Sequence, residues 1–158
     1  MVDAGAFAIL GLARLEASTA EVAIRALAQA LAKEGHVKAS FEGAALSRER
    51  RSPTGLPFPG NAVALPHAEP EHVVTPAIAI ASLVRPVKVR QMGSPATQLD
   101  VALVVMPALT AKEQAAAGLS RLIELLQDGA LRDALIAADT PDAMRAILAP
   151  AWTRGATS

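Results

Sequence analysis

The chain has 158 residues, a length that suits one domain with a hydrophobic core of its own. Its 15 basic and 15 acidic residues cancel, which removes the electrostatic case for non-specific binding to nucleic acid or to an anionic membrane. The absence of cysteine excludes a disulfide framework, a thiol nucleophile and a thiolate metal site.

The N-terminal segment predicts a strand and not a targeting signal. Ala6–Leu12 is apolar, but it follows Asp3 and no basic residue, which is unlike a signal peptide. No apolar run of the chain approaches the roughly 20 residues that span a bilayer. We therefore expect a cytoplasmic protein without direct membrane insertion, which begins with a largely aliphatic strand over Phe7–Leu15.

Two helices are predicted to follow this strand. Ser18 and Glu21 have the spacing of a capping box, in which two side chains satisfy free backbone donors of the first turn. Apolar residues then recur at helical spacing until Gly35, a residue typical of a helix C-terminus. A shorter helix is predicted over 39–49, and its last turn carries Arg48, where the helix dipole favours a cation. Taken alone, Arg48 would be read as part of a solvated helix end.

The middle of the chain brings a histidine to the end of a buried strand. Ser52–Gly60 contains three prolines and two glycines, so it predicts an ordered loop. Ala62–Leu65 is an apolar strand that runs directly into Pro66 and His67. A histidine in this place is held firmly and still meets solvent, which suits chemistry by one side chain. A lone histidine is nevertheless more often a structural residue, so its surroundings must decide.

The next segments predict strands that are buried in a sheet. Ala77–Val84 reads as a strand that is apolar on both faces, and Val87–Val89 as a short strand with one wet face. A loop is predicted over Gln91–Gln98, followed by a core strand over Asp100–Met106. Strands that are apolar on both faces require cover on both sides of the sheet.

Three helices are predicted after the last strand. Thr110 and Glu113 have the spacing of a second capping box, and the helix they begin carries an apolar stripe of Leu119, Leu122, Ile123 and Leu126. A short helix is predicted over 131–137. Thr140 caps a last helix, which Pro150 is expected to end.

The alternation of strands and helices predicts an α/β fold with helices on both faces of the sheet. We expect one domain over residues 1–150 and a frayed C-terminal tail over 151–158.

Three chemistries compete for the histidines. His67 and His72 lie five residues apart across a polar turn, so both rings could reach one site. The segment from His67 to Glu69 matches half of a zinc deaminase signature, but the cysteine half is missing. A metal site that uses Glu69 or Glu71 has no diagnostic spacing. Hydrolysis would need a placed nucleophile, and the chain has no Gly-x-Ser-x-Gly motif.

Phosphoryl transfer fits the composition better than these two chemistries. A neutral imidazole is a good nucleophile, and with an ordinary pKa of about 6.5 it is largely available at pH 7. Accepting a phosphoryl group then requires positioning and positive charge around its oxygens. Arg48 and a second histidine could supply these, and neither a metal nor another cofactor is required.

Three segments together resemble the IIA component of sugar phosphotransferase systems: Arg48–Pro57 with its Arg-Glu pair and Pro-Thr-Gly, Val63–His67, and Glu71–Val73. The resemblance is to the fructose/mannitol superfamily and is strongest to its galactitol-type branch. It covers most of the chain and implies a mixed β-sheet between helices.

The resemblance also implies roles for individual residues. His67 matches the phosphorylated histidine, and His72 the second histidine, which hydrogen-bonds the phosphoryl group or steadies the ring. Arg48 matches the arginine that neutralises phosphate charge, and Thr54 lies in the matching loop as a pocket-lining, phosphate-binding residue. Mannitol-type and fructose-type relatives carry a supporting histidine where this chain reads Ala111–Gln114, so His72 is expected to replace it.

The resemblance implies partners as well. The phosphocarrier protein HPr would donate the phosphoryl group, and a cysteine of a IIB subunit would accept it for uptake of a galactitol-like sugar or polyol. Because this sequence has no cysteine, we expect IIB to be a separate chain, and the IIC permease as well. An alternative is a regulatory module of the same fold whose phosphorylation state controls a partner, such as a transcription regulator or a kinase. A third reading is an interaction domain that never meets phosphate.

Overall fold

The computed structural model describes residues 7–157, with the side chains of 7–112 and 114–154. Within these residues the chain forms five strands and five α-helices: β1 Ala8–Leu15, α1 Ala20–Lys33, α2 Phe41–Arg51, β2 Gly55–Leu56, β3 Ala62–Ala64, β4 Ala77–Gln91, β5 Ser94–Ala108, α3 Lys112–Leu126, α4 Gly129–Ala137 and α5 Pro141–Thr157. A 3₁₀ helix, Pro70–His72, lies between β3 and β4. Residues 1–6 of the predicted domain and residue 158 of the predicted tail lie outside the described residues. No helix of the described part combines the length and apolar character needed to cross a membrane.

A long antiparallel hairpin forms the centre of the sheet. β4 and β5 pair over most of their length, from Ala77 opposite Ala108 to Gln91 opposite Ser94. β1 pairs with β4 in parallel, and β3 pairs with β5 in parallel. β2 is antiparallel to β3. The predicted α/β class with a mixed sheet is therefore confirmed.

Alternate residues of β4 build two separate cores on the two faces of the sheet. Ala77 and Ala79 belong to a cluster with buried residues of α1 and α2. Ile78 and Ile80 belong to a second cluster with residues of α3, α4 and α5. Neighbouring side chains of a strand point to opposite faces, so the alternation of small and large residues sets the space available to each helical layer. The prediction of helices on both faces is confirmed.

The first helix is capped one residue later than the sequence predicts. Thr19 has extended backbone angles, and its Oγ1 accepts a hydrogen bond from the N–H of Val22 at 3.3 Å. Ser18 is therefore not the cap. Glu21 does not complete a capping box but accepts a hydrogen bond from Arg50 of α2 at 2.9 Å. The two neighbouring hydroxyl residues are equivalent to a pattern-based prediction, and the backbone angles of the structure distinguish them.

The predicted break after Val84 and the predicted loop over Gln91–Gln98 are both wrong. β4 continues to Gln91, and a register shift between Ser82 and Val87 absorbs the irregularity. β5 begins at Ser94, after a turn in which Gly93 has a φ of 76°. This outer part of the hairpin is largely exposed, so it lacks the apolar pattern by which a buried strand is recognised.

The start of α3 also differs from its prediction. α3 begins at Lys112, and its N-cap is Ala111, which makes no side-chain hydrogen bond. Thr110 therefore lies before the cap position, and the predicted second capping box is wrong. Thr140 does act as predicted, since its Oγ1 accepts from the N–H of Ala143 at 3.0 Å at the start of α5.

The last helix continues through Pro150, so the predicted helix end is wrong and residues 151–157 are helical. A proline inside a helix costs about 3 kcal/mol. Trp152 offsets this cost, and only 1% of it is exposed. Its ring centroid lies 5.2 Å from that of Phe7, and the guanidinium carbon of Arg121 lies 3.6 Å from the same Trp152 centroid. Truncating a buried tryptophan typically costs about 3–5 kcal/mol, which is enough to hold the last turns in place.

Two glycines give opposite predictions when each is replaced by alanine. A Cβ on Gly55 would lie 2.6 Å from the carbonyl oxygen of Arg90, whereas a Cβ on Gly43, exposed in α2, meets nothing within 4 Å. We expect Gly55→Ala to lower the free energy of unfolding by about 1–3 kcal/mol through overpacking. Gly43→Ala should raise it by about 0.5–1 kcal/mol. Urea denaturation of both variants measures this, and equal effects would contradict the packing at β2.

Candidate functional site

The ring of His67 is oriented by a hydrogen bond to its own strand. The chain leaves β3 through the buried residues Leu65 and Pro66, and His67 follows, half-buried. Its Nδ1 lies 2.8 Å from the carbonyl oxygen of Leu65. A carbonyl oxygen can only accept, so Nδ1 must carry the proton. In the neutral ring Nε2 then keeps its lone pair, and among the described residues it has no hydrogen-bond partner.

The surroundings keep this ring neutral. Burial is the main cause that lowers the pKa of His67 below the ordinary value of 6.5, and the nearby positive charge of Arg48 acts in the same direction. The hydrogen bond to Leu65 and the carboxylate of Glu69 oppose the shift without reversing it. A lowered pKa means that the ring holds a free lone pair at neutral pH, as a nucleophile requires.

A buried hydrogen-bond chain holds the carbonyl of Leu65 in place. The Oγ1 of Thr54 accepts from the N–H of Leu65 at 3.0 Å. The same hydroxyl donates to Glu49 Oε1 at 2.7 Å, and the N–H of Thr54 donates to Glu49 Oε2 at 3.0 Å. The end of α2 is thereby tied through Thr54 to the residue that orients His67.

Thr54 is placed differently from the prediction. It is 2% exposed, and its hydroxyl is engaged on both sides, so it supports the strand and does not line a pocket. Glu49 has a supporting role that the sequence did not predict, because it was recognised only as part of the Arg-Glu pair. Its burial raises its pKa, while hydrogen bonds from Thr54 and the charges of Arg90 and Arg48 oppose the shift. A glutamate in the last turn of a helix, five residues before a threonine in a rigid loop, is the signal that could have revealed it.

A buried arginine holds the loop before β3 from the other side. Arg132 of α4 donates to the carbonyl oxygen of Leu126 at 2.6 Å and to that of Pro59 at 2.7 Å. Its guanidinium carbon lies 4.8 Å from the ring centroid of Phe58. The loop that delivers β3 and His67 is therefore fixed to both helical layers.

Beside His67 lies a cleft of about 280 Å³ between the end of α2 and the segment after β3. It brings together Arg48 and His72, two of the predicted site residues. His67 is not among its lining residues, but it immediately precedes Ala68, which is. The full lining consists of Ala44, Ser47, Arg48, Arg51, Ala68, Glu69, Glu71 and His72.

Arg48 and His72 are each held by a neighbour in this cleft. Arg48 Nε lies 3.5 Å from Oε1 of Glu69. His72 Nδ1 shares a 2.7 Å hydrogen bond with the hydroxyl of Ser40, the N-cap residue of α2. That hydroxyl makes no cap bond to its own helix, so a local capping interaction is given up in order to fix the second histidine. A neutral imidazole, a cation and a second ring on one open face are the parts that phosphoryl transfer needs.

The other two chemistries find less support in this arrangement. Ser40 and His72 are hydrogen-bonded, but the nearest carboxylate, Glu71, is 3.9 Å from His72 Nε2 and is 77% exposed, so the ring lacks the firmly held orienting partner of a hydrolytic triad. Among the side chains of residues 7–112 and 114–154, no group of three or more histidine, aspartate or glutamate residues is arranged to hold a metal ion.

The sequence matches one known family over most of its length. The family described as phosphoenolpyruvate-dependent sugar phosphotransferase system, EIIA 2, matches residues 11–150. No curated protein matches the chain at a significant level.

Several solved structures share the fold. The chain is 25% identical to the crystal structure of IIA mannitol from Escherichia coli, covering 94% of this chain and 99% of that one, with a TM-score of 0.66. It is 24% identical to a chain in the complex of enzyme IIA and phosphorylated enzyme IIB for mannitol from E. coli, covering 87% and 92%, with a TM-score of 0.70. The nitrogen regulatory protein IIA-Ntr from Neisseria meningitidis is 20% identical, with coverage of 90% and 93% and a TM-score of 0.65.

The ring of His67 should titrate at low pH. Since burial lowers its pKa, we expect an NMR midpoint below 6.5, with the neutral ring protonated on Nδ1. Between the folded midpoint and 6.5 the unfolded state binds more protons, so this group's contribution to stability is lost as the pH falls through that window. The His67→Ala variant assigns the signal. A midpoint above 6.5, or a proton on Nε2, would contradict the geometry.

Removing the hydroxyl of Thr54 should destabilise the protein. Thr54→Val keeps the shape but leaves the buried N–H of Leu65 without an acceptor and removes one of the two hydrogen bonds that Thr54 donates to Glu49. The expected loss in the free energy of unfolding is about 1–3 kcal/mol. Thr97→Val, at an exposed strand position, is the matched control and should stay within about 0.5 kcal/mol. Equal stability of the two variants would mean that the hydroxyl of Thr54 is not a structural support.

Proposed function

This chain belongs to the EIIA 2 family of the phosphoenolpyruvate-dependent sugar phosphotransferase system, and we propose that it is a phosphocarrier that uses His67. The observation that carries the proposal is the hydrogen bond from His67 Nδ1 to the carbonyl oxygen of Leu65, at 2.8 Å. It leaves Nε2 as the nitrogen with the free lone pair, beside a cleft that contains Arg48.

In the proposed first step the lone pair of Nε2 attacks the phosphorus of a donor phosphohistidine. The new N–P bond forms as the bond to the donor nitrogen breaks, and the electron pair of the broken bond returns to the donor ring. In the second step a cysteine thiolate of the acceptor attacks the phosphorus, and the electron pair of the N–P bond returns to Nε2. The proton stays on Nδ1, hydrogen-bonded to the carbonyl oxygen of Leu65, throughout both steps, so the ring keeps one orientation.

Arg48 and His72 have separate roles in this proposal. The guanidinium of Arg48 neutralises charge on the phosphoryl oxygens, which is the main contribution that a protein makes to such a transfer. His72, with its Nδ1 bound to Ser40, can present Nε2 to a phosphoryl oxygen or steady the site. Thr54 acts indirectly, through the N–H of Leu65. Neither a metal nor another cofactor enters the reaction.

The proposed partners follow from the family and from the composition. We propose that HPr is the donor and that a IIB subunit is the acceptor, with uptake of a galactitol-like sugar or polyol through a IIC permease. The solved E. coli complex of enzyme IIA with phosphorylated enzyme IIB supports a IIB partner. These 158 residues contain no cysteine, so the acceptor cysteine lies outside them. The carrier would then work in the cytoplasm as one domain, predicted over residues 1–150 and extended by the packing of Trp152.

The second candidate is a regulatory module, whose phosphorylation on His67 controls a partner protein. The observation that favours it is the likeness in fold to the nitrogen regulatory protein IIA-Ntr. Both candidates require the same phosphohistidine, and they differ in whether the phosphoryl group moves on to a IIB cysteine. Transfer to a cognate IIB would support the transport role.

The carrier step predicts one phosphoryl group on one residue. After incubation with enzyme I, HPr and phosphoenolpyruvate, the intact mass of the wild type should rise by one acid-labile phosphoryl group. His67→Ala should show no increase. His36→Ala, which removes a ring bound to Thr75 outside the cleft, should behave like the wild type.

The measurement is made at neutral to alkaline pH, with a known acceptor to show that the donor mixture works. Phosphate retained on His67→Ala, or none on the wild type, would overturn the assignment.

A further inference from the structure

Arg48, the cation proposed to contact the phosphoryl group, already lies beside the carboxylate of Glu69. Glu69 follows His67 by two residues, and its Oε1 lies 3.5 Å from Arg48 Nε. Both side chains line the cleft that also contains His72. Glu69 therefore already pairs with the guanidinium that would contact a phosphoryl group on His67.

The contact between Arg48 and Glu69 is an ion pair without a hydrogen bond. Arg48 Nε is buried, yet it donates no hydrogen bond to any residue of the described chain. The side chain of Arg48 is 28% exposed and that of Glu69 is 61% exposed. The guanidinium thus keeps unused donor capacity, and a phosphoryl oxygen, with its greater charge, is the stronger acceptor for it.

Glu69 can give up this contact without disturbing the site. Its carbonyl oxygen accepts from the N–H of His72 at 3.1 Å, so its backbone anchors the 3₁₀ helix while its side chain extends into solvent. Rotation of the carboxylate into water leaves Glu69 solvated, and the phosphoryl group takes its place beside Arg48. The backbone role and the side-chain role of this residue are therefore separable.

We propose that Glu69 is a resident anion, which pairs with Arg48 in the unphosphorylated protein and is displaced when His67 is phosphorylated. This inference rests on the proposed carrier function. The pair must be broken each time the group arrives and re-forms each time it leaves. Glu69 thus acts through Arg48 as a positioning residue that weakens the hold on the phosphoryl group and favours its onward transfer.

The size of the effect follows from the exposure of the pair. Exposed ion pairs shift an equilibrium by up to about fivefold, and the carboxylate also repels the dianionic phosphoryl group at close range. We therefore expect a change of about two- to fivefold in favour of the phosphorylated carrier when the charge of Glu69 is removed. An effect of this size adjusts a carrier without stopping it.

The test compares Glu69→Gln with Glu34→Gln. The control is Glu34→Gln in place of a change within the cleft, because Glu34 is exposed at the end of α1, lies outside the cleft and loses the same charge. Each protein is equilibrated with HPr and phospho-HPr at a fixed ratio, and the phosphorylated fraction is measured by intact mass. Melting temperatures of all variants show that the fold is intact.

Glu69→Gln should be phosphorylated about two- to fivefold more favourably than the wild type, with Glu34→Gln close to the wild type. Equal constants for all three proteins, or the same shift in both variants, would overturn the role of Glu69 and leave the carrier function standing. No phosphate on the wild type would overturn the carrier function and this inference with it.

Discussion

The hydrogen bond from His67 Nδ1 to the carbonyl of Leu65 decides which nitrogen of the ring can react. A bond within three residues is rigid only if the strand that carries it is rigid, and the rest of the structure supplies that rigidity. Thr54 and Glu49 hold the N–H of Leu65 from the end of α2. On the opposite side Arg132 holds the loop that enters β3. The orientation of one ring thus depends on contacts from both helical layers.

Burial has two effects on this site that act in the same direction. It lowers the pKa of His67, which keeps the ring neutral and nucleophilic. It also strengthens the hydrogen bonds that fix the ring, because water does not compete for Thr54 or Leu65. The same burial is unfavourable for the charged carboxylate of Glu49, and it raises the pKa of that group. Hydrogen bonds from Thr54 compensate that charge, so a buried acid becomes part of the support.

The roles of Arg48 and His72 were proposed from the resemblance to a family, whereas the sequence patterns alone were enough to predict the α/β class and the short strand that leads to His67. These features depend on local patterns of apolar residues and on motifs at short spacing. The continuity of the outer hairpin beyond the predicted strand Val87–Val89 could not be predicted, because most of its residues are exposed and carry no apolar pattern. The helix beyond Pro150 depends on Trp152 meeting Phe7, a contact between the two ends of the described chain. The hydrogen bond from the N–H of Leu65 to Thr54 depends on where the loop folds back onto the chain after β3, which the apolar pattern does not predict.

The charges that line the cleft are arranged so that none is locked in a buried ion pair. Arg48 is held near His67 by an exposed carboxylate at 3.5 Å, and its Nε makes no hydrogen bond within residues 7–157. A carrier must bind a phosphoryl group and then release it, so a cation locked in a buried ion pair would serve neither step. Rigid support beneath the ring and exchangeable charge around it are therefore complementary. The hydrogen-bond chain fixes the position of Nε2, and the surface carboxylate leaves the stabilisation of the group adjustable.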